Sequence, residues 1–145
     1  MGCAEGAANT QTIAQFERAG LEAVAHKQWG KVYDTMHPAQ RRLVTYKDFF
    51  KCMTAGAFLA ESFGIDLSTT RFVSAKVVKQ KRVTLPETKV QMTATVVRVS
   101  SSFVEGGKRV TDSDLEYVVK INGQWRWIDL DTKPSEYRRH TCGIK

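Results

Sequence analysis

The sequence lacks any apolar run long enough to cross a membrane, because no window holds the roughly 18 uninterrupted apolar residues that a spanning helix needs. It also lacks internal repeats and low-complexity tracts. The sequence therefore predicts neither a spanning helix nor a repeat architecture. A chain of 145 residues suits one domain, which can bury about two thirds of its surface. We predict a flexible segment over residues 1–9, which is rich in glycine and alanine, and a single domain over residues 10–145.

Motifs for a metal, a cofactor or a nucleic acid are also missing. The three cysteines do not have the spacing of metal ligands, and there is no helix-turn-helix or RNA-binding aromatic pattern. The net charge of +7 would suit a polyanion, but the basic residues are spread over a strand, a loop and the tail. Valines separate the basic residues of that strand: Lys76, Lys79, Lys81 and Arg82. We predict a solvated basic sheet face, with at most a weak attraction to anionic lipid, and expect no metal, cofactor or nucleic-acid partner.

The first half of the sequence has the apolar spacing of helices. One helix is predicted over about residues 10–26, and a second begins at Trp29 and stops before Pro38, with a polar loop after it. A third is predicted to begin after an N-cap at Thr45 and to end near Gly64. Its buried face is predicted to hold Phe49, Phe50, Met53 and Ala57.

The apolar period changes to two after Arg71, which is typical of strands. Four strands are predicted, over residues 72–85, 89–103, 114–121 and 124–130. Turns are expected at Gly106-Gly107 and at Asn122-Gly123, because the second pair suits a two-residue hairpin. The alternation slips near residues 97–99, which indicates a bulge and a strongly curved sheet. The fold class is therefore α+β, with N-terminal helices packed on a strongly curved antiparallel sheet.

Three segments resemble a known superfamily. W-G-K-V-Y-D followed by H-P, T-Y-K-D-F-F, and N-G-Q-W-R-W-I-D are similar to segments of secreted members of the nuclear transport factor 2-like superfamily, also called the cystatin-like cone. The resemblance extends from Thr10 to Asp131. It implies a cone-shaped sheet with helices on its concave face. It implies no particular activity, because this fold carries isomerases, dehydratases and accessory proteins alike.

The odd number of cysteines bears on location. Gly2-Cys3 resembles the junction at which a bacterial lipoprotein receives its lipid, so Cys3 is a predicted lipidation site. Cys52 and Cys142 would then be free to form a disulfide, which requires an oxidising compartment. Three alternatives stay open: Met1-Gly2 could be a cloning remnant, Met-Gly-Cys could be a myristoylation start, and Cys52 could be an inert buried thiol. We predict a lipoprotein or secreted protein, outside the cytoplasm.

A cone covered by helices would enclose an apolar cavity suited to a hydrophobic small molecule. The predicted wall consists of large side chains from both halves of the chain: Phe16, Tyr33, Phe50, Met53, Met92, Tyr117 and Trp127. We therefore expect a non-catalytic binding or accessory domain. These residues could instead simply fill a core. An open sheet face could also bind a protein partner or a second copy of the chain.

Catalysis is the alternative to binding. The isomerase branch of the superfamily uses a carboxylate base with a tyrosine and a protonated acid. No position matches that motif well enough to take over a role, so we predict no catalytic residue, although an isomerase or dehydratase that uses a pocket carboxylate stays an alternative. The acids available for such a role are Asp34, Glu116, Asp129 and Asp131.

Overall fold

The computed structural model describes residues 11–142, in which helices precede a four-stranded antiparallel sheet. The α+β fold class predicted from the sequence is confirmed. The predictions on residues 1–9, including lipidation of Cys3, lie outside the described residues. Within the described part of the chain, no helix has the length and apolar content needed to cross a membrane.

The two longer helices of the first half begin at residues whose side chains cap them. α1 (Ile13–Ala25) starts after Thr12, which forms a reciprocal capping box with Gln15. α4 (Tyr46–Ser62) starts after the predicted N-cap Thr45, whose hydroxyl accepts a hydrogen bond from the Asp48 N–H. The third predicted helix is therefore confirmed, and its C-cap, Phe63, directly precedes Gly64.

Two short helices separate α1 from α4. α2 (Trp29–Asp34) agrees with the sequence prediction, whereas the polar loop predicted after it is wrong, because Pro38 starts α3 (Pro38–Arg41). Proline suits a first helical position, where its missing N–H would have no helical partner. The His37 imidazole completes the cap by accepting a hydrogen bond from the Ala39 N–H at 3.0 Å.

The sheet has the order β1-β2-β3-β4 along the chain. Its strands are β1 (Ile65–Thr84), β2 (Gln91–Glu105), β3 (Lys108–Ile121) and β4 (Gln124–Ile128). β1 and β3 each begin six or seven residues before their predicted starts at residues 72 and 114. The unpredicted parts are mostly polar and pair with the outer half of β2. Only Ile65 and Leu67 alternate with polar residues in the first of them, which is too short a pattern to indicate a strand.

The predicted bulge is present, but its extra residue lies on the neighbouring strand. The register of β1 against β2 shifts between Val77 and Lys79, opposite Val97 and Val96. Val78 is thereby left without a partner and is exposed. β2 keeps four consecutive buried residues there, from Ala94 to Val97, which explains why the alternation slips.

A helix in the tail was not predicted from the sequence. α5 (Pro134–Arg139) buries Tyr137, whose ring stacks on that of Phe49 with centroids 5.9 Å apart. The Tyr137 hydroxyl donates a hydrogen bond to Asp129 at 2.6 Å. The predicted disulfide joins Cys52 of α4 to Cys142 just after α5, with the Cα atoms 5.7 Å apart. α4, α5 and the disulfide thus contribute to one core cluster around Phe49, which is fully buried.

Candidate functional site

A cavity of about 540 Å³ lies between α1, α2 and one face of the sheet. Its wall is mostly apolar, and its size is within the range of small-molecule sites. The apolar lining residues are Phe16, Ala19, Gly20, Leu21, Ala23, Val24, Val32, Val99 and Trp127. Six polar residues complete the lining: Gln11, Glu17, Lys31, Asp34, Thr35 and Glu116.

Two tryptophans of β4 hold the helices in place around the cavity. The Trp127 indole N–H donates to the Val32 carbonyl at 2.9 Å, which ties α2 to the sheet. The Trp125 indole N–H donates to the Gln11 carbonyl at 3.0 Å, next to the start of α1. Backbone hydrogen bonds from Trp127 to Thr35 and from His37 to Trp127 fix the same junction. At this edge of the cavity, the backbone groups and both indole N–H groups therefore have hydrogen-bond partners.

Glu17 is a titratable residue of this site that the sequence interpretation missed. It lies on α1, is only 8% exposed and lines the cavity beside Phe16. Its Oε1 atom is buried and has no hydrogen-bond partner within the described residues. A signal was available, because Glu17 falls on the apolar face of the helix, four residues after Ile13 and three before Gly20.

A second carboxyl group, that of Glu116 on β3, faces the same cavity. Burial raises the pKa of Glu116 to about 7, and the nearby charges of Asp114, Asp129 and Asp131 add to this effect. Burial raises the pKa of Glu17 to about 8, and the charge of Glu116 adds to it. Glu116 therefore ionises first, and its charge then opposes ionisation of Glu17. Glu17 is mainly neutral at pH 7.

Two of the seven residues predicted to line a pocket, Phe16 and Trp127, line this cavity. Tyr117 does not, because it pairs with Ile128, whereas Trp127 pairs with Val118. Adjacent strand residues point to opposite faces, so Tyr117 and Trp127 lie on different sides of the sheet. Tyr117 also does not face a tryptophan across the hairpin.

The other four predicted wall residues also lie elsewhere. Met92 packs with Tyr117 against the cluster around Val119. Tyr33 packs on Phe49, and its hydroxyl donates to the Val44 carbonyl at 2.6 Å. Met53 is half-buried and packs against the core cluster around Phe49.

Phe50 is 44% exposed. Its neighbour Phe49 takes the inward position on α4, and consecutive helical residues point in different directions.

Asp129, Asp48 and His140 have structural partners. Asp129 accepts hydrogen bonds from Tyr137 and from the Asp131 and Thr132 N–H groups, and burial raises its pKa. The imidazole of His140 lies 2.9 Å from the Asp48 carboxylate, a contact that lowers the pKa of Asp48. These groups stabilise turns and helix ends away from the cavity. Within residues 11–142, no three acidic, histidine or cysteine side chains are placed to hold a metal ion.

Comparison with models of known protein families gives no match for this chain. Comparison with curated proteins gives none either. The resemblance to the nuclear transport factor 2-like superfamily therefore stays a prediction from the sequence.

Proposed function

We propose that this chain is an extracytoplasmic binding or accessory domain that holds a hydrophobic small molecule in the cavity between α1, α2 and the sheet. The observation that carries the proposal is the cavity itself, about 540 Å³ in volume and lined mainly by apolar side chains. The disulfide between Cys52 and Cys142 supports the location, because such bonds persist in oxidising compartments. Lipidation of Cys3 would add an anchor at the membrane surface.

Filling the cavity is expected to abolish binding of hydrophobic compounds. Gly20 lines the cavity, and a Cβ placed there would meet no atom within 4 Å, so Gly20→Trp can introduce a large ring without a backbone clash. In a thermal-shift screen of hydrophobic small molecules, compounds that stabilise the wild type should no longer stabilise Gly20→Trp. A bound ligand raises the melting temperature by mass action, so the ligand-dependent shift is the quantity to compare.

Gly56→Trp is the matched control for that experiment. Gly56 also lies inside a helix, also has open space around a Cβ, and does not line the cavity. Both variants gain helix propensity, about 0.5 kcal/mol each, so their unliganded melting temperatures should rise similarly. Gly56→Trp should keep the ligand-dependent shift. A shift that survives in Gly20→Trp would place the ligand elsewhere.

The absence of any stabilising compound would favour the sheet face as the functional surface. β1 is an edge strand on which three valines are about half exposed: Val73, Val77 and Val78. A protein partner or a second copy of the chain would then cover them. Exposed lysines lie along the same strand and discourage pairing of this edge with another strand.

An acid–base enzyme is the second candidate, and the pair of carboxyl groups in the cavity favours it. A general acid or base works best when its pKa lies near the working pH, and Glu116 and Glu17 have pKa values of about 7 and about 8. If the chain is an isomerase or dehydratase, Glu17→Gln or Glu116→Gln should lower turnover by about 100-fold or more. Glu22→Gln, an exposed change on the same helix, should leave turnover unchanged. Equal turnover in all four proteins would remove these two acids from any mechanism.

A further inference from the structure

The buried oxygen of Glu17 lacks a hydrogen-bond donor. Its Oε1 atom has no partner among the described residues, although the side chain is buried. A buried polar atom without a partner lowers the stability of the folded state, and such atoms are rare in folded proteins. A ligand in the cavity that brings a donor to this carboxyl group would remove this effect.

The sign of the surrounding charge indicates which chemical group on a ligand would be the best donor. Glu17 and Glu116 face one cavity, and like charges at short range oppose each other's ionisation. A neutral hydroxyl on a ligand would supply a donor but would not compensate a negative charge, so Glu17 would stay mainly protonated at pH 7. A carboxylate on a ligand would add to the repulsion. A protonated amine would supply donors and also compensate the negative charge.

Other charged groups around the cavity do not reverse this preference. On α2, Lys31 and Asp34 line the cavity. Their charges are opposite in sign, and both side chains are exposed and therefore hydrated, so together they change the charge of the interior little. On the strand side, the acids that act on Glu116 are Asp114, Asp129 and Asp131. On α1, Arg18 lies next to Glu17, but its guanidinium is over the Phe72 ring, 4.8 Å from the centroid. The interior of the cavity is therefore acidic.

We propose that the ligand of this cavity is a hydrophobic organic cation, an apolar body that carries a protonated amine. The ammonium group lies against the carboxyl groups of Glu17 and Glu116. The apolar body lies against the Phe16, Leu21 and Val99 part of the wall. This assignment rests on the proposed function, that the cavity binds a small molecule, and adds the class of ligand.

Binding of such a cation depends on pH in a defined direction. An ammonium group binds best when the carboxyl groups are ionised, so its binding releases protons from Glu116 and Glu17. These carboxyl groups ionise around pH 7 and pH 8, respectively. The affinity for an amine should therefore increase by about tenfold between pH 6 and pH 8, well below the pH at which a simple alkylamine loses its proton.

Three probes of the same size and different charge test the assignment: phenylbutylamine, phenylbutanol and phenylbutyrate. Isothermal titration calorimetry with the wild type at pH 8 should give binding at least about tenfold tighter for the amine than for the alcohol. The amine alone should bind more tightly at pH 8 than at pH 6. Glu17→Gln and Glu116→Gln should each reduce the preference for the amine. Glu22→Gln has the same change of net charge outside the cavity and should keep it.

The possible results distinguish an error in the ligand class from an error in the proposed binding function. If the alcohol or the carboxylate binds as tightly as the amine, and Gly20→Trp abolishes that binding, the cavity is a binding site but its ligand is not a cation. If the amine binds and Gly20→Trp leaves its affinity unchanged, the amine binds elsewhere. If both Gln variants leave its affinity unchanged, its ammonium group does not lie against these carboxyl groups. Either result shows that the assignment is wrong. If none of the three probes binds, the cationic assignment is wrong. The proposed function is contradicted as well only if the thermal-shift screen also finds no compound whose stabilising effect Gly20→Trp removes.

Discussion

Opening the disulfide between Cys52 and Cys142 is expected to lower the free energy of unfolding by about 4–5 kcal/mol. The two cysteines are 90 residues apart, and a cross-link that closes a loop of this length removes about that much conformational entropy from the unfolded chain. The bond also ties the end of α5 to α4, next to the buried contact between Tyr137 and Phe49. The variant to compare is Cys142→Ala, which leaves Cys52 buried as a small apolar side chain.

Urea unfolding with and without a reducing agent provides the measurement. Reduction should bring the wild type close to the stability of Cys142→Ala and should not change Cys142→Ala further. The unfolded, unreduced wild type without lipid should show one reactive thiol, because two of its three cysteines are bonded. Three thiols, or a stability that reduction leaves unchanged, would contradict the bond and the argument for an oxidising compartment.

The fold class could be predicted because local signals agreed with tertiary structure. Thr45 caps α4 in the structure as its position suggested, and Gly64 directly follows the C-cap of that helix, Phe63. Asn122 and Gly123 both have positive φ angles, 51° and 78°, as the hairpin they form requires. Each of these residues determines the conformation of its own neighbourhood, so the sequence alone was enough.

Other elements depend on contacts between distant parts of the chain. The first half of β3 is charged and exposed and is a strand only because it pairs with β2. α5 has six residues, and its stability comes from Tyr137, which packs on Phe49 and binds Asp129. Neither partner belongs to the helix itself. No periodicity within such a short or polar segment could have indicated these structures.

The cavity was only partly predictable. Trp127 and Phe16 were expected from their size and spacing, and they line it. The position of Tyr117 could have been derived, because a two-residue turn at Asn122-Gly123 sets Tyr117 opposite Ile128 and on the other face from Trp127. Glu17 is harder to recognise, since a glutamate on a helix is usually solvated. Its burial follows from how α1 lies on the sheet.

Replacing Glu17 with glutamine is expected to stabilise the protein by several kcal/mol at alkaline pH. The pKa of Glu17 is about 8 in the folded state and near 4.5 in the unfolded chain. Below pH 4.5 the carboxyl group is protonated in both states and does not change stability. As the pH rises from 4.5 to 8, only the unfolded chain loses this proton, so stability falls, and above pH 8 the loss is constant. The difference between the two pKa values sets an upper limit of about 5 kcal/mol.

Urea unfolding of the wild type, Glu17→Gln and Glu22→Gln at pH 5, 7 and 9 tests this expectation. The free energy of unfolding of Glu17→Gln should exceed that of the wild type most at pH 9, and the two values should approach each other at pH 5. Because the Glu22 side chain is exposed, the free energy of unfolding of Glu22→Gln should equal that of the wild type at every pH. Parallel curves for the wild type and Glu17→Gln would show that Glu17 is solvated in the folded state and would remove the main support for a cationic ligand.

The same substitution connects stability with binding. Glu17→Gln should gain stability without ligand and lose the preference for an amine. Residues at binding sites often lower the stability of the unliganded protein in this way. A bound amine should conversely stabilise the wild type more than Glu17→Gln, because it compensates a charge that only the wild type has. Opposite effects of one substitution on the free and liganded proteins would not arise from an acid that has only a structural role.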